Sequence, residues 1–175
     1  MAAATAATWM FAALLLTAGI TKILRPVATG AALEGARLPS QHGLVRMLGV
    51  AEVALAAAVL VIGGAVPATV LGATYAAFAG FTAYQARRGA GCGCFGDASA
   101  PATSVHVAVD ATGAGLAAVA ALGSPPSLLT LASDPLLGAV TVLGVVVGAQ
   151  LLRLSLTALP ELAAAVALHR TEAGA

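Results

Sequence analysis

The chain has 175 residues, of which 60% are apolar and 9% charged, with a mean hydropathy of +0.99 and a formal net charge of +1. A soluble domain carries roughly a quarter of its residues as charges, so most of this chain is made for lipid. So small a net charge leaves no basic footprint for a nucleic-acid partner.

Taken in order, the apolar runs predict an all-α integral membrane helix bundle, a four-helix core with a fifth transmembrane helix, built as one multi-pass domain over residues 1–175. The first span covers about residues 4–24, from Ala4 through Trp9 and Phe11 to Leu24. No basic residue precedes it, whereas Lys22 and Arg25 close it. A secretory leader has the opposite polarity, so this run is expected to be a retained helix with its N-terminus outside and Trp9 in the interfacial aromatic belt. Residues 26–43 form the longest polar stretch, with Glu34, Arg37, Ser40, Gln41 and His42, and their alternation of small apolar and charged residues suits a short amphipathic helix lying on the membrane surface. A second span follows over about 44–63, with Arg46 near its start and Glu52 well inside. Gly63-Gly64 and Pro67 then punctuate a short turn.

The third span runs over about 66–86 and ends in Tyr84, Gln85, Arg87 and Arg88. A glycine-rich loop over about 87–103, closed by Asp97, Ser99 and Pro101, leads to the fourth span, about 104–122, with His106 and Asp110 in its first two turns. After Ser124, Pro125 and Pro126, a fifth span covers about 135–159, with Gln150 and Arg153 late in it and Pro160 expected to end it. Small residues such as Gly72, Ala76 and Gly80 in the third span, and Gly113, Gly115 and Ala117 in the fourth, favour close helix packing, because lipid supplies no hydrophobic drive between helices.

Both cysteines lie in the loop after the third span, in Gly91-Cys92-Gly93-Cys94-Phe95-Gly96. Thiols at i and i+2 can close a small disulfide, because the glycine between them accepts backbone angles that a Cβ would resist. Such a pair belongs to the labile, catalytic end of the redox range. Two free, inert cysteines filling a helix end are the plain alternative. A soft-metal carrier is another, with Cys92, Cys94, His106 and Asp97 as ligands, but the one-residue spacing does not match common zinc knuckles.

Following the spans across the membrane puts all eight basic residues, Lys22, Arg25, Arg37, Arg46, Arg87, Arg88, Arg153 and Arg170, on or toward the face that carries the cysteine loop. The positive-inside rule therefore places that loop on the cytoplasmic side. The buried ionisable residues gather there too: helix rise puts Lys22, Glu52 and Asp110 within roughly 5–12 Å of that face, with His106, Tyr84, Gln85 and Gln150 in the same layer. Ionised carboxylates among apolar helices need partners, and Lys22 and Arg153 are the available cations. The chemistry this supports is thiol-disulfide exchange. Arg87, Arg88, Lys22 or a protonated His106 would favour the thiolate, and Glu52 or Asp110 would trade protons with the departing thiol.

Three stretches, Ala18-Gly19-Ile20-Thr21-Lys22-Ile23-Leu24-Arg25-Pro26, Ala51-Glu52 and Cys92-Gly93-Cys94-Phe95-Gly96, together resemble the MauE family, grouped with DoxX-like membrane proteins, over about residues 8–120. The resemblance implies a four-helix membrane bundle concerned with disulfide formation in client proteins, methylamine dehydrogenase maturation being the namesake role, and associated with thioredoxin-like partners. It also implies that Cys92 and Cys94 are the redox pair and that Lys22 and Glu52 hold motif positions. The Arg-Asn pair that family members carry early in the fourth helix is replaced here by Val105-His106-Val107-Ala108-Val109-Asp110, and the family's maturation role is pictured outside the cytoplasm, opposite to the charge bias. The function expected is that of a bacterial inner-membrane thiol-disulfide oxidoreductase component. It would pass electrons between a thioredoxin-like partner and either a client protein or a membrane quinone; the alternatives are the soft-metal carrier and a non-catalytic membrane scaffold.

Overall fold

A computed structural model describes the backbone over residues 2–95 and 101–173, and side chains over residues 3–95 and 101–158. Among the described residues the chain is helical: α1 (Ala2–Leu24), α2 (Pro26–Gly35), α3 (His42–Ala57, continued by a π-helical turn over Ala58–Ile62), α4 (Ala65–Arg87), α5 (Ser104–Leu122), a 3₁₀ segment (Leu128–Ser133) and α6 (Pro135–Ala173). Five of these helices are long and apolar enough to cross a membrane: Ala3–Leu24, His42–Ile62, Ala65–Arg87, Ser104–Leu122 and Pro135–Ala158. The protein is thus a multi-pass membrane protein, an all-α bundle with five spans.

The breaks between helices follow local chemistry. Pro26 cannot continue the hydrogen-bond ladder of α1 and restricts Arg25 before it, so the chain turns at Arg25 (φ −132°, ψ 67°) and Pro26 starts α2 in its first turn. At the opposite end of the bundle Gly63 and Gly64 make the turn alone, and Pro67 falls in the first turn of α4, where its missing N–H costs nothing. The Gly64 N–H donates to the Pro125 carbonyl at 2.7 Å, tying this turn to the α5–α6 connection. Pro160 does not end the last helix, because the backbone of α6 runs through it to Ala173. One proline removes a single ladder bond, and the Ala- and Leu-rich sequence around it has high helix propensity. Asp97, Ser99 and the Arg170 side chain lie outside the described residues.

Helix α1 is the hub, packing against α3, α5 and α6, while α4 packs against α5. That position explains Trp9. With its neighbours on every side, α1 buries Trp9, Phe11, Leu14 and Leu15 in the core, and Trp9 is only 5% exposed instead of resting in an interfacial belt. Helix α6 turns Leu136, Val140, Leu143, Val147, Leu151 and Leu154 outward, and α3 with its π-helical turn exposes Leu44, Met47, Val50, Val61 and Ile62.

Close packing rests on specific small residues. A Cβ on Gly19 would lie 2.7 Å from the Gly49 carbonyl oxygen, and one on Gly49 would lie 2.6 Å from that of Gly19, so α1 and α3 touch backbone to backbone. Gly72 serves α4 against Ala114 and Ala117 of α5 in the same way, and Gly113 makes room for Phe11 and Tyr75, whereas Gly80 and Gly115 face open space. Forcing a side chain into such a contact costs about 1–3 kcal/mol. Gly49→Val is therefore expected to lower the melting temperature of the detergent-solubilised protein, and unchanged thermal stability would refute the contact.

Candidate functional site

One turn beyond Gly19, the same α1–α3 contact positions Lys22 opposite Glu52. Lys22 Nζ donates to Glu52 Oε2 at 2.8 Å, and the two side chains are 6% and 2% exposed. Phe78 of α4 lies under the ammonium, which is 5.5 Å from the ring centroid, a distance at which the ring quadrupole attracts a cation. Of the two cations available to the carboxylates, Lys22 takes Glu52, and Arg153 forms no ion pair among the described residues. Asp110 is half-buried and accepts a hydrogen bond from Thr82 Oγ1 at 3.1 Å.

His106 is buried in the first turn of α5, where it forms part of a capping arrangement. Its Nδ1 accepts from the Thr103 N–H at 3.2 Å and stands 3.0 Å from Thr103 Oγ1. An accepting Nδ1 carries no proton, which assigns the ring proton to Nε2. A neutral His106 lends no charge to a thiolate, so Lys22 is the cation that lines the same cavity as the cysteines. Tyr84 and Gln150 face outward, Tyr84 paired with Arg88.

Cys92 and Cys94 form a disulfide, with their Cα atoms 5.3 Å apart. The loop that carries it is held from several directions. Ala102 N–H donates to the Ala90 carbonyl at 2.9 Å, and Gly91 pairs with Pro101, closing the base of the loop. Gln85, fully buried, donates through Nε2 to both the Gly91 and Ala32 carbonyls at 3.1 Å, joining the loop to α2. Thr29 Oγ1 donates to the Gly93 carbonyl at 2.8 Å. Gly93 has φ +66°, and a Cβ there would fall 2.6 Å from the Ala28 carbonyl oxygen. Both the backbone angle and the contact with α2 therefore require glycine. Helix α2, expected on the membrane surface, packs Ala28, Thr29 and Ala32 onto the end of the bundle as the seat of the cysteine loop.

Beneath the disulfide lies a cavity of about 230 Å³. Cys92, Cys94 and Phe95 form its roof, Lys22, His106 and Asp110 supply polar groups, and Tyr75, Phe78 and Phe81 give it aromatic walls. Cys92 is 5% exposed and Cys94 is half-buried. Five of the six expected site residues, Cys92, Cys94, Lys22, His106 and Asp110, thus line this cavity, and the sixth, Glu52, reaches it only through Lys22. The aromatic walls and the Thr29 and Gln85 anchors were not foreseen as a unit. The walls had a readable signal: Tyr75, Phe78, Phe81 and Tyr84 recur every third residue in a chain with seven aromatics. Among the described residues no three His, Cys, Asp or Glu side chains converge to hold a metal ion.

Five apolar spans around a disulfide-roofed cavity define a membrane-embedded bundle with a thiol pair set at one bilayer face. The chain belongs to the MauE family: the family model described as methylamine utilisation protein MauE matches residues 1–124, which takes in α1 to α5 and leaves α6 outside. No curated protein and no solved structure matches the chain.

A buried charge left without its partner costs about 3–5 kcal/mol, whereas replacing both partners by apolar groups is often neutral. Lys22→Met and Glu52→Leu are each expected to lower thermal stability in detergent by that order. The double variant should lose much less than the sum, and strict additivity would show that the two groups do not act as a pair.

Proposed function

We propose that this protein is a thiol-disulfide oxidoreductase component of a bacterial inner membrane, exchanging electrons with a thioredoxin-like partner on behalf of a client protein. The observation that carries this reading is the Cys92–Cys94 disulfide, held at the bundle end with Lys22 in the same cavity. A thiolate of the partner attacks Cys94, the less buried sulfur. The Cys92–Cys94 bond breaks, a mixed disulfide forms on Cys94, and Cys92 leaves as a thiolate that the Lys22 ammonium favours. The partner's second thiolate then releases Cys94. One disulfide has passed to the partner, and Cys92 and Cys94 remain as two thiols. Sequence separation supports the labile character of the pair, since a ring closed across a single glycine stabilises the folded chain little through loop entropy and is open to exchange.

Sidedness belongs to the same proposal. Lys22, Arg25, Arg37, Arg46, Arg87 and Arg88 belong to the helix ends and connections on the disulfide side, and Arg153 lies within α6 one turn from Leu156 of the cavity, which supports a cytoplasmic position for the cysteine loop.

Two measurements test the reading. Cys92→Ser leaves Cys94 without its resolving thiol and is expected to accumulate a mixed disulfide with a thioredoxin-like protein, seen as a reducible band on non-reducing gels. Cys94→Ser should trap far less, and if neither variant traps a partner the exchange reading fails. After mild reduction of intact cells, a membrane-impermeant maleimide is expected to leave Cys94 unlabelled until the cells are permeabilised; labelling without permeabilisation would place the loop outside.

A further inference from the structure

Resting on the exchange reading, we propose that the cavity beneath the disulfide binds the ring of a lipid-soluble quinone, which reoxidises the reduced Cys92–Cys94 pair. The argument begins with access. The lining residues exposed on the outside of the bundle are Leu48 of α3 and Ala77 of α4, both within membrane spans. The cavity therefore reaches the lipid-facing surface between α3 and α4, and a hydrophobic molecule can enter from the bilayer without crossing water.

Size comes next. At about 230 Å³ the space lies below the range of about 300–1,000 Å³ usual for drug-sized ligands. It suits a one- or two-ring head group whose isoprenoid tail stays in lipid, and not a whole phospholipid.

Chemistry narrows the occupant further. An acyl chain would leave the polar wall unanswered. Lys22 spends one N–H on Glu52, and an ammonium has three donors, so N–H groups remain for a carbonyl oxygen in the cavity. Asp110, which also lines the cavity, offers a carboxyl that accepts a hydrogen bond from the Thr82 hydroxyl. Tyr75, Phe78 and Phe81 provide faces against which a flat ring packs. A para-quinone matches this set, with two carbonyl acceptors at opposite ends of a flat apolar ring. Both cysteines line the same cavity, so donor and acceptor meet without a relay.

The step balances within these groups. The two thiols of Cys92 and Cys94 give up two electrons and two protons, and the S–S bond forms. The quinone takes both electrons, its two carbonyl oxygens become hydroxyls, and the quinol leaves by the α3–α4 opening. Lys22 gives a proton to one carbonyl oxygen and regains it from one thiol, and Asp110 passes the proton of the other thiol to the second carbonyl oxygen.

The test separates binding from exchange. Decylubiquinone and menadione, a one-ring and a two-ring probe, are titrated calorimetrically into the full-length protein in detergent, using the Cys92→Ser/Cys94→Ser double variant so that no electron transfer occurs. Saturable binding of at least one probe is expected. Ala77→Trp or Leu48→Trp, which fill the opening from lipid-exposed positions, should weaken it at least tenfold, whereas Leu143→Trp on the far lipid face of α6 should not. Stopped-flow absorbance with pre-reduced wild-type protein should then show one equivalent of quinol formed per disulfide, slowed at least tenfold by Lys22→Met. Absence of saturable binding, binding indifferent to both tryptophans at the opening, or bound quinone that the reduced protein leaves unreduced would each overturn the proposal. Mixed-disulfide trapping by Cys92→Ser is read independently, so the quinone can fail while the exchange reading stands, and the reverse is equally visible.

Discussion

The contact on which the rest of the site depends is the buried pair of Lys22 and Glu52. Two ionised groups among apolar helices are costly unless they meet with good geometry. They meet here because Gly19 and Gly49 let α1 and α3 approach until their backbones touch. The pair in turn fixes the rotation of α1, the central helix, and so determines which residues face the cavity. Leu14, Leu15, Ala18 and Lys22 follow one another along that face at helical spacing. Small residues, ion pair and cavity wall are thus successive consequences of one close crossing.

A second layer of order comes from the end of the bundle. Helix α2 is too short to span a membrane, and its value lies in its polar backbone and one hydroxyl. The Ala32 carbonyl receives Gln85, and Thr29 reaches the Gly93 carbonyl. Gln85 is buried completely and carries both the loop and α2 on a single amide group, while its Oε1 has no hydrogen-bond partner among the described residues. In lipid-facing surroundings a polar group without water must find protein, which is why the loop's carbonyls are met by side chains from two different helices.

Much of the fold was legible in the sequence for the same physical reason. The bilayer demands about twenty apolar residues per helix, and Pro26, Gly63-Gly64 and Pro125-Pro126 mark the breaks. Charges were legible too, because lipid tolerates few, so Lys22, Glu52 and Asp110 stood out. What hydropathy does not encode is which helix lies in the middle. Trp9 has the composition of an interfacial residue and becomes a core residue only because α3, α5 and α6 enclose α1. The role of Thr29 was equally hidden, since a hydroxyl bonded to a distant carbonyl leaves no periodic trace. His106 was visible as a residue but not as a cap, because its partner Thr103 lies in the loop just before α5. Pro160 illustrates the limit of a local rule: one missing N–H does not stop a helix whose neighbours on both sides favour it.

The anchoring of the cysteine loop also bears on how anything reacts with it. Gly91 is held by Gln85 and paired with Pro101, and Gly93 is held by Thr29 and pressed against Ala28. These restraints act on backbone atoms and are indifferent to whether the sulfurs are joined. The segment between them is therefore a fixed terminal rather than a swinging arm. Under the proposed exchange, a molecule that trades electrons with it would have to bring its own reactive atoms to the bundle, from the aqueous side past Cys94 or from the lipid side between α3 and α4, and the shape of those two approaches would decide which molecules succeed.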